Sequence, residues 1–295
     1  MTDSVEKRVV GIIGGSGVYD IEGLEDTRWE AVGSPFGAPS DELLFGRLGE
    51  TELVFLPRHG RGHPIPPSEI NFRANIDAMK RAGVTDIVSV GAVGSLKASL
   101  PPGTFVLVDQ YIDRTFAREK SFFGQGLVAH VSMADPACLR LLDLLGGVLD
   151  RQGVPYRSGG TYLAMEGPQF STRAESELYR SWGCDVIGMT AMPEAKLARE
   201  AELCYAGVSM VTDFDCWHDD HDAVTVDSII ATLLANAVKG RALVKEAAPL
   251  IAAWRDICPH GCDRALDNAL ITAPDARDPA LIARLDAVAG RVLMR

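Results

Sequence analysis

Two apolar runs that stop at glycine turns constrain this fold more than any other feature. "KRVVGIIGGSG" (residues 7–17) has the continuous hydrophobicity of a strand covered on both faces and ends in a glycine turn. "AGVTDIVSVGAVGSL" (82–96) repeats that design after an amphipathic helical pattern over residues 69–82. "TYLAMEGPQF" (161–170) and "ELCYAGVSMVTDFD" (202–215) read as further strands, and further amphipathic patterns cover 137–152, 172–182 and 226–248. No linker or low-complexity segment separates them. The alternation predicts an α/β fold, a mixed and mostly parallel sheet with helices on both faces, formed as one domain over residues 1–295 with 249–295 as a less clearly assigned tail. In such sheets functional groups collect at the carboxyl ends of strands. "GGSG", "GAVGS", "MEGPQF", "GMTAMPE" and "TDFDCW" all stand at such ends, so five distant segments are expected to meet at one cleft.

Composition excludes several classes of function. The 295 residues, 47% of them hydrophobic, can bury a substantial core. With 29 basic and 40 acidic residues the formal charge is −11, and no Lys/Arg run interleaves with aromatics, which argues against a nucleic-acid partner. The N-terminus lacks a signal-peptide core and no apolar run approaches the roughly 20 residues needed to span a bilayer, so a cytoplasmic protein with no membrane partner is expected. Six cysteines are too few for a disulfide scaffold in so long a chain. Cys258 and Cys262, in "ICPHGC", have metal-ligand spacing, but no second pair is visible near them, and no metal is expected.

Several segments carry chemistry. "GGSG", Gly14 to Gly17, offers backbone N–H groups and the Ser16 hydroxyl to an anionic oxygen, and equally serves as a plain turn. It is no dinucleotide fingerprint, because Asp20 stands where the third glycine belongs, and no Walker lysine occurs. "PRHGRGH" concentrates Arg58, His59, Arg61 and His63 in an acidic protein, which favours an anion site over a merely solvated basic loop. In "MEGPQFSTRAES", Phe170 can stack on a flat ligand or fill a core, while a helix starts at Ser171 or Thr172 with Glu175 placed to complete a capping box. Met189 and Thr190 precede a helix whose first turn holds Pro193 and Glu194. Methionine suits a core or a soft wall against a sugar. "HDDHDA" (218–223) looks like a metal cluster, but neighbouring side chains of an extended loop diverge, so it reads as a solvated acidic loop. "TDFD" ends an apolar strand with two carboxylates, Asp213 and Asp215, which oppose each other's ionisation in a desolvated cleft.

Taken in order, "GIIGGSGVYD", "PRHGRGH", "NFRANIDAMKRAGVTDIVSVGAVGSL", "DQYIDRT", "EGPQFSTRAES", "DVIGMTAMPEAKLARE" and "TDFDCW" resemble the trimeric purine nucleoside phosphorylase family, in its methylthioadenosine-cleaving branch, over residues 8–248. The resemblance implies phosphorolysis of 5′-methylthioadenosine to adenine and 5-methylthioribose 1-phosphate, a purine and methionine salvage reaction. Inorganic phosphate is then the co-substrate and no cofactor is implied. It places Ser16, Arg58, His59, the Ala92 backbone and Thr190 at the phosphate, Met189 under the ribose and Phe170 on the purine. Asp213 and Asp215 match the catalytic positions that assist the departing base. Val226, Ile229 and Ile230 match the apolar pocket for the methylthio group. His130 matches a residue that reaches the neighbouring subunit's site in a homotrimer.

The chain departs from that pattern at Gly91, where some relatives carry a threonine hydroxyl, and Ser16 replaces a threonine while keeping the hydroxyl. Two other readings compete. One is a phosphorylase for 6-oxopurine nucleosides or methylthioinosine, whose relatives place asparagine where Asp213 stands. The other, of a different class, is a non-catalytic nucleotide-binding protein. A nucleosidase using water would leave Ser16, Arg58 and His59 with no anion to hold.

Overall fold

The computed structural model describes residues 7–15, 20–218 and 226–294, and the side chains of 226–230 lie outside that description. The elements run β1 Val9–Gly14, β2 Glu25–Glu30, β3 Leu43–Leu48, β4 Thr51–Pro57, α1 Phe72–Arg81, β5 Val84–Ser95, β6 Phe105–Val108, β7 Gln110–Asp113, α2 Leu139–Gln152, β8 Tyr156–Ser158, β9 Thr161–Ala164, α3 Arg173–Ser181, β10 Val186–Gly188, α4 Ala191–Glu200, β11 Cys204–Asp213, α5 Val226–Ala252, α6 Pro279–Arg284 and α7 Asp286–Leu293. The expected architecture is the one observed. Strands β1, β4, β5 and β11 form a parallel centre, extended by the antiparallel β2–β3–β4 meander.

β5 is the branch point of the sheet. Its residues 86–94 pair with β11 in parallel, and its last two, Gly94 and Ser95, pair antiparallel with β10. β10 continues through β9 to β7, while β11 continues through β6 to β8. Because β6 runs into β7 through Asp109, the two branches meet again and the sheet curls on itself. Amides of Asp109 and Gln110 both donate to the Gly160 carbonyl, 3.3 Å each, which holds the bend.

Apolar residues cover both faces of the sheet, as the strand patterns require. One cluster joins α1, α4 and the C-terminal helices to the sheet through Ile76, Met79, Leu197, Leu285 and Val288. The other joins α2 and α5 through Leu141, Leu145, Leu243 and Ile251. Thr172 caps α3 and exchanges hydrogen bonds with Glu175, the predicted capping box. Among the described residues, no helix is long and apolar enough to cross a membrane.

The C-terminal tail is packed into the body of the molecule. Leu266, Ala269, Leu285, Val288 and Ala289 are buried, and Arg291 Nε donates to Glu202 Oε2 at 2.7 Å. The tail also overturns the sequence reading that Cys258 and Cys262 lack a second pair. Cys138, immediately before α2, and Cys204, the first residue of β11, come beside them, and all four ligand sulfurs lie within 4.8 Å of one another. Linear spacing could not reveal this, because the second pair is assembled from positions 66 residues apart.

Candidate active site

A cavity of about 460 Å³ opens at the carboxyl ends of β1, β4, β5, β9, β10 and β11, where the strand order branches. Its walls include Arg58, His59, Ala92, Met165, Phe170, Met189, Thr190, Asp213 and Asp215, together with Leu233 and Ala237 of α5. The five predicted segments therefore converge as far as the description extends. Ser16 lies outside the described residues, as do the side chains of Val226, Ile229 and Ile230, although α5 itself borders the cavity. His130 does not line this chain's cavity. It sits on an exposed stretch, its amide donating to the Ala269 carbonyl at 2.8 Å.

One end of the cavity is cationic. Arg58 follows β4 and is 3% exposed, its Nε donating to Glu194 Oε2 at 2.8 Å and Nη2 to Ser89 Oγ at 2.7 Å. Burial works against the guanidinium charge, and Glu194 more than restores it, so its pKa is raised. Tyr205 and Ser89 also donate to Glu194 Oε1, at 2.9 and 2.5 Å. Nη1 is less engaged, with a single 3.3 Å bond to the Val90 carbonyl. Glu194 is the residue that sequence reasoning passed over. "MPEAK" carries an acid in the first turn of a helix, which looks like ordinary dipole compensation until Arg58 is brought onto it from 136 residues away.

His59 lies beside Arg58 with Nδ1 2.9 Å from the Ile65 carbonyl, and its ring stacks on His63 at 4.0 Å. A carbonyl only accepts, so Nδ1 carries the proton. Burial, then the Arg58 charge, pushes the imidazole down to about 4, so it is neutral at pH 7 with a bare Nε2. The basic cluster read from the sequence thus divides. Arg58 and His59 face the cavity with His63, whereas Arg61 turns outward to Asp41 and Glu42 at 2.8 and 2.9 Å and lies over the Trp29 ring.

The opposite wall is acidic. Asp213 ends β11 opposite Gly94 of β5. A Cβ on Gly94 would stand 3.1 Å from Asp213 Oδ1 and 3.4 Å from the Asp215 Cβ, so the bare glycine is what lets both acids tuck against β5. Asp213 Oδ1 accepts the Asp215 amide at 2.8 Å. Thr212 Oγ1 lies 2.7 Å from Asp213 Oδ2 and 3.2 Å from the Val93 carbonyl. One hydroxyl proton cannot serve both acceptors, and a proton on Asp213 makes both contacts favourable. Burial raises the Asp213 pKa against the pull of the Thr212 hydroxyl and the Asp215 amide. Burial likewise raises that of Asp215, with Asp213 adding to it, and Asp215 holds a left-handed φ of 54°. Asp215 Oδ2 is buried without a hydrogen-bond partner. Met189 and the 68%-exposed ring of Phe170 are among the apolar residues of the wall.

The chain is similar to known proteins over most of its length. Residues 9–248 match the phosphorylase superfamily. The chain is 62% identical to the S-methyl-5′-thioadenosine phosphorylase of Rhodospirillum rubrum, over 99% of this chain and 100% of that one. It is 51% identical to the enzyme of the same name from Geobacter sulfurreducens, over 96% and 99%. Among solved structures, a methylthioadenosine phosphorylase from an Antarctic soil metagenomic library superposes with a TM-score of 0.89 at 45% identity, covering 96% of this chain and 99% of that one. The Schistosoma mansoni methylthioadenosine phosphorylase in complex with tubercidin gives 0.78 at 39% identity, over 84% and 93%. The chain belongs to the phosphorylase superfamily, within the S-methyl-5′-thioadenosine phosphorylase family.

Proposed function

We propose that the cavity carries out phosphorolysis of 5′-methylthioadenosine, with phosphate at the Arg58 end and adenine at the Asp213 end. One observation carries the reading: a cavity with a buried guanidinium at one end and two desolvated carboxyl groups at the other suits a reaction that joins an anion to one side of a sugar and expels a base from the other. A phosphate oxygen attacks the anomeric carbon, the glycosidic bond breaks, and its electron pair moves onto the purine. Asp213 delivers its proton to N7 as that charge grows, while Asp215 Oδ2 accepts from the exocyclic amine. Arg58 Nη1 and the Thr190 hydroxyl donate to phosphate, as does Ser16, and the bare Nε2 of His59 accepts its P–OH proton. Met189 and Phe170 contact the ribose and the purine face, and the N-terminal part of α5, with Val226, Ile229 and Ile230, takes the methylthio group.

The same reading includes a homotrimer in which His130 serves the neighbouring site, and a reaction that needs no cofactor. The test is adenine release from 5′-methylthioadenosine with and without phosphate and with no added metal. Strict dependence on phosphate, with 5-methylthioribose 1-phosphate as the second product, is the expected result. Equal release in its absence would replace phosphorolysis with hydrolysis.

A further inference from the structure

At the far end of β11 from the acids, Cys138, Cys204, Cys258 and Cys262 form a buried cluster, none of them more than 2% exposed. β11 rises about 3.3 Å per residue, so roughly 30 Å separate Cys204 from Asp213, and nothing in the proposed reaction uses these thiols. Cys138 and Cys258 sulfurs are 3.6 Å apart, and all four lie within 4.8 Å of one another. Tetrahedral coordination at a zinc–sulfur distance near 2.3 Å puts ligand sulfurs roughly 3.8 Å apart. The span fits one ion and leaves no room for the several metals and sulfides of an iron–sulfur cluster.

The surroundings are those of a charged centre. The 258–262 loop has C-x3-C spacing and turns at Gly261, whose φ of 66° favours glycine. Its fold is fixed by the Gly261 amide on the Cys258 carbonyl at 2.9 Å and the Cys258 amide on Asp263 Oδ2 at 2.8 Å. Arg140, in the first turn of α2, is 7% exposed and bonds Asp86 through Nη2, yet its Nε and Nη1 are buried with no hydrogen-bond partner. Arg8 shares the same carboxylate, Nη1 to Asp86 Oδ2 at 2.9 Å. Arg8 also has Asp263 Oδ2 at 4.0 Å, whereas Arg140, close to Cys204, keeps buried unsatisfied N–H groups, and these call for further negative charge at that place. Four thiols alone do not supply it, whereas four thiolates around a divalent ion carry a net double negative charge.

We propose that Cys138, Cys204, Cys258 and Cys262 bind one zinc ion as a closed structural site that pins the C-terminal tail to α2 and to the start of β11. Binding converts four thiols to thiolates and releases their protons to solvent. With no open coordination position, the ion takes no part in catalysis.

Metal analysis of the purified full-length protein tests this directly. One zinc per chain, surviving gel filtration, is expected, and loading with cobalt(II) should give the intense visible bands of a tetrahedral thiolate site. Paired Cys258→Ser and Cys262→Ser should lose the zinc and lower the thermal midpoint by several degrees, with KM for nucleoside and phosphate unchanged. Should that variant fail to fold, the wild-type metal content and cobalt spectrum still decide. Four free thiols with no zinc retained after incubation with zinc would overturn the proposal, as would two disulfides or iron as the sole metal.

Discussion

Among the described residues, two ion groups have all their charged members buried, and they are built differently. At the cavity, Arg58 faces Glu194 one to one, and Glu194 also receives Ser89 and Tyr205. At the opposite end, Arg8 and Arg140 divide a single fully buried Asp86 between them. Glu194 neutralises and aims a cation whose Nη1 is left with one long bond, which is what a site for a transient anion needs. Asp86 is shared by two partners, of which Arg8 also reaches Asp263 at 4.0 Å, while Arg140 keeps unsatisfied N–H groups beside the cysteines of the proposed metal site. On the proposed reading, buried guanidinium serves in two ways here, to receive a co-substrate and to hold a fixed centre.

The largest expected effect is on folding. Breaking one buried pair typically costs about 3–5 kcal/mol, and Asp86→Asn breaks two at once, so it should yield little folded protein. Glu194→Gln keeps neutral hydrogen bonds to one guanidinium and should cost less, as measured by denaturant unfolding. The kinetic readout separates the two further. Glu194→Gln should raise the KM for phosphate, since Arg58 is no longer held in place, whereas any folded Asp86→Asn should keep it. Equal stability losses and equal phosphate KM values in the two variants would show that the distinction between the groups is wrong.

Much of the cavity end was legible because it is encoded in local runs. A strand with continuous apolar residues ending in Asp213 and Asp215 announces a desolvated acid pair, and Thr172 with Glu175 announces a helix start. What remained hidden were pairings between distant elements. Glu194 on Arg58, Gly94 under the two acids, and Cys138 with Cys204 beside Cys258 and Cys262 each join residues that no periodicity relates. The short strands β6, β7, β8 and β10, of three or four residues, are likewise too brief for an alternation pattern to register.

Next in size is the acid wall. Asp213→Asn removes a proton donor but keeps a hydrogen-bond donor, so turnover of methylthioadenosine should fall by about 10²–10⁴-fold, the usual worth of general-acid assistance. An amide also satisfies the O6 of a 6-oxopurine, so the ratio of kcat/KM for methylthioinosine to that for methylthioadenosine should rise. Stability should change little beside Asp86→Asn, because among the described residues Asp213 pairs with no buried cation. An unchanged ratio would mean that Asp213 does not read the sixth position of the purine.

The smallest effect separates two atoms of one ring. If His59 serves phosphate through Nε2 and the fold through Nδ1, the two shorter amides should divide those roles. Asparagine places its amide near Nδ1, keeping the Ile65 bond and vacating the Nε2 position. Glutamine reaches the Nε2 position and abandons Ile65. We expect His59→Asn to raise the KM for phosphate about tenfold, roughly 1.4 kcal/mol, and His59→Gln to raise it less while losing more stability. The pH dependence supplies a second reading. The imidazole is depressed to about 4 in the folded state against an ordinary 6.5, so between those values the unfolded chain binds the extra proton. Folding stability then falls as pH drops from 6.5 toward 4, and is unaffected by this group above that window. Both variants should flatten that slope, whereas only asparagine should strongly weaken phosphate use. Equal phosphate KM values for the two would show that Nε2 is not the atom that meets the anion, leaving Arg58 and its neighbours to hold it without the ring.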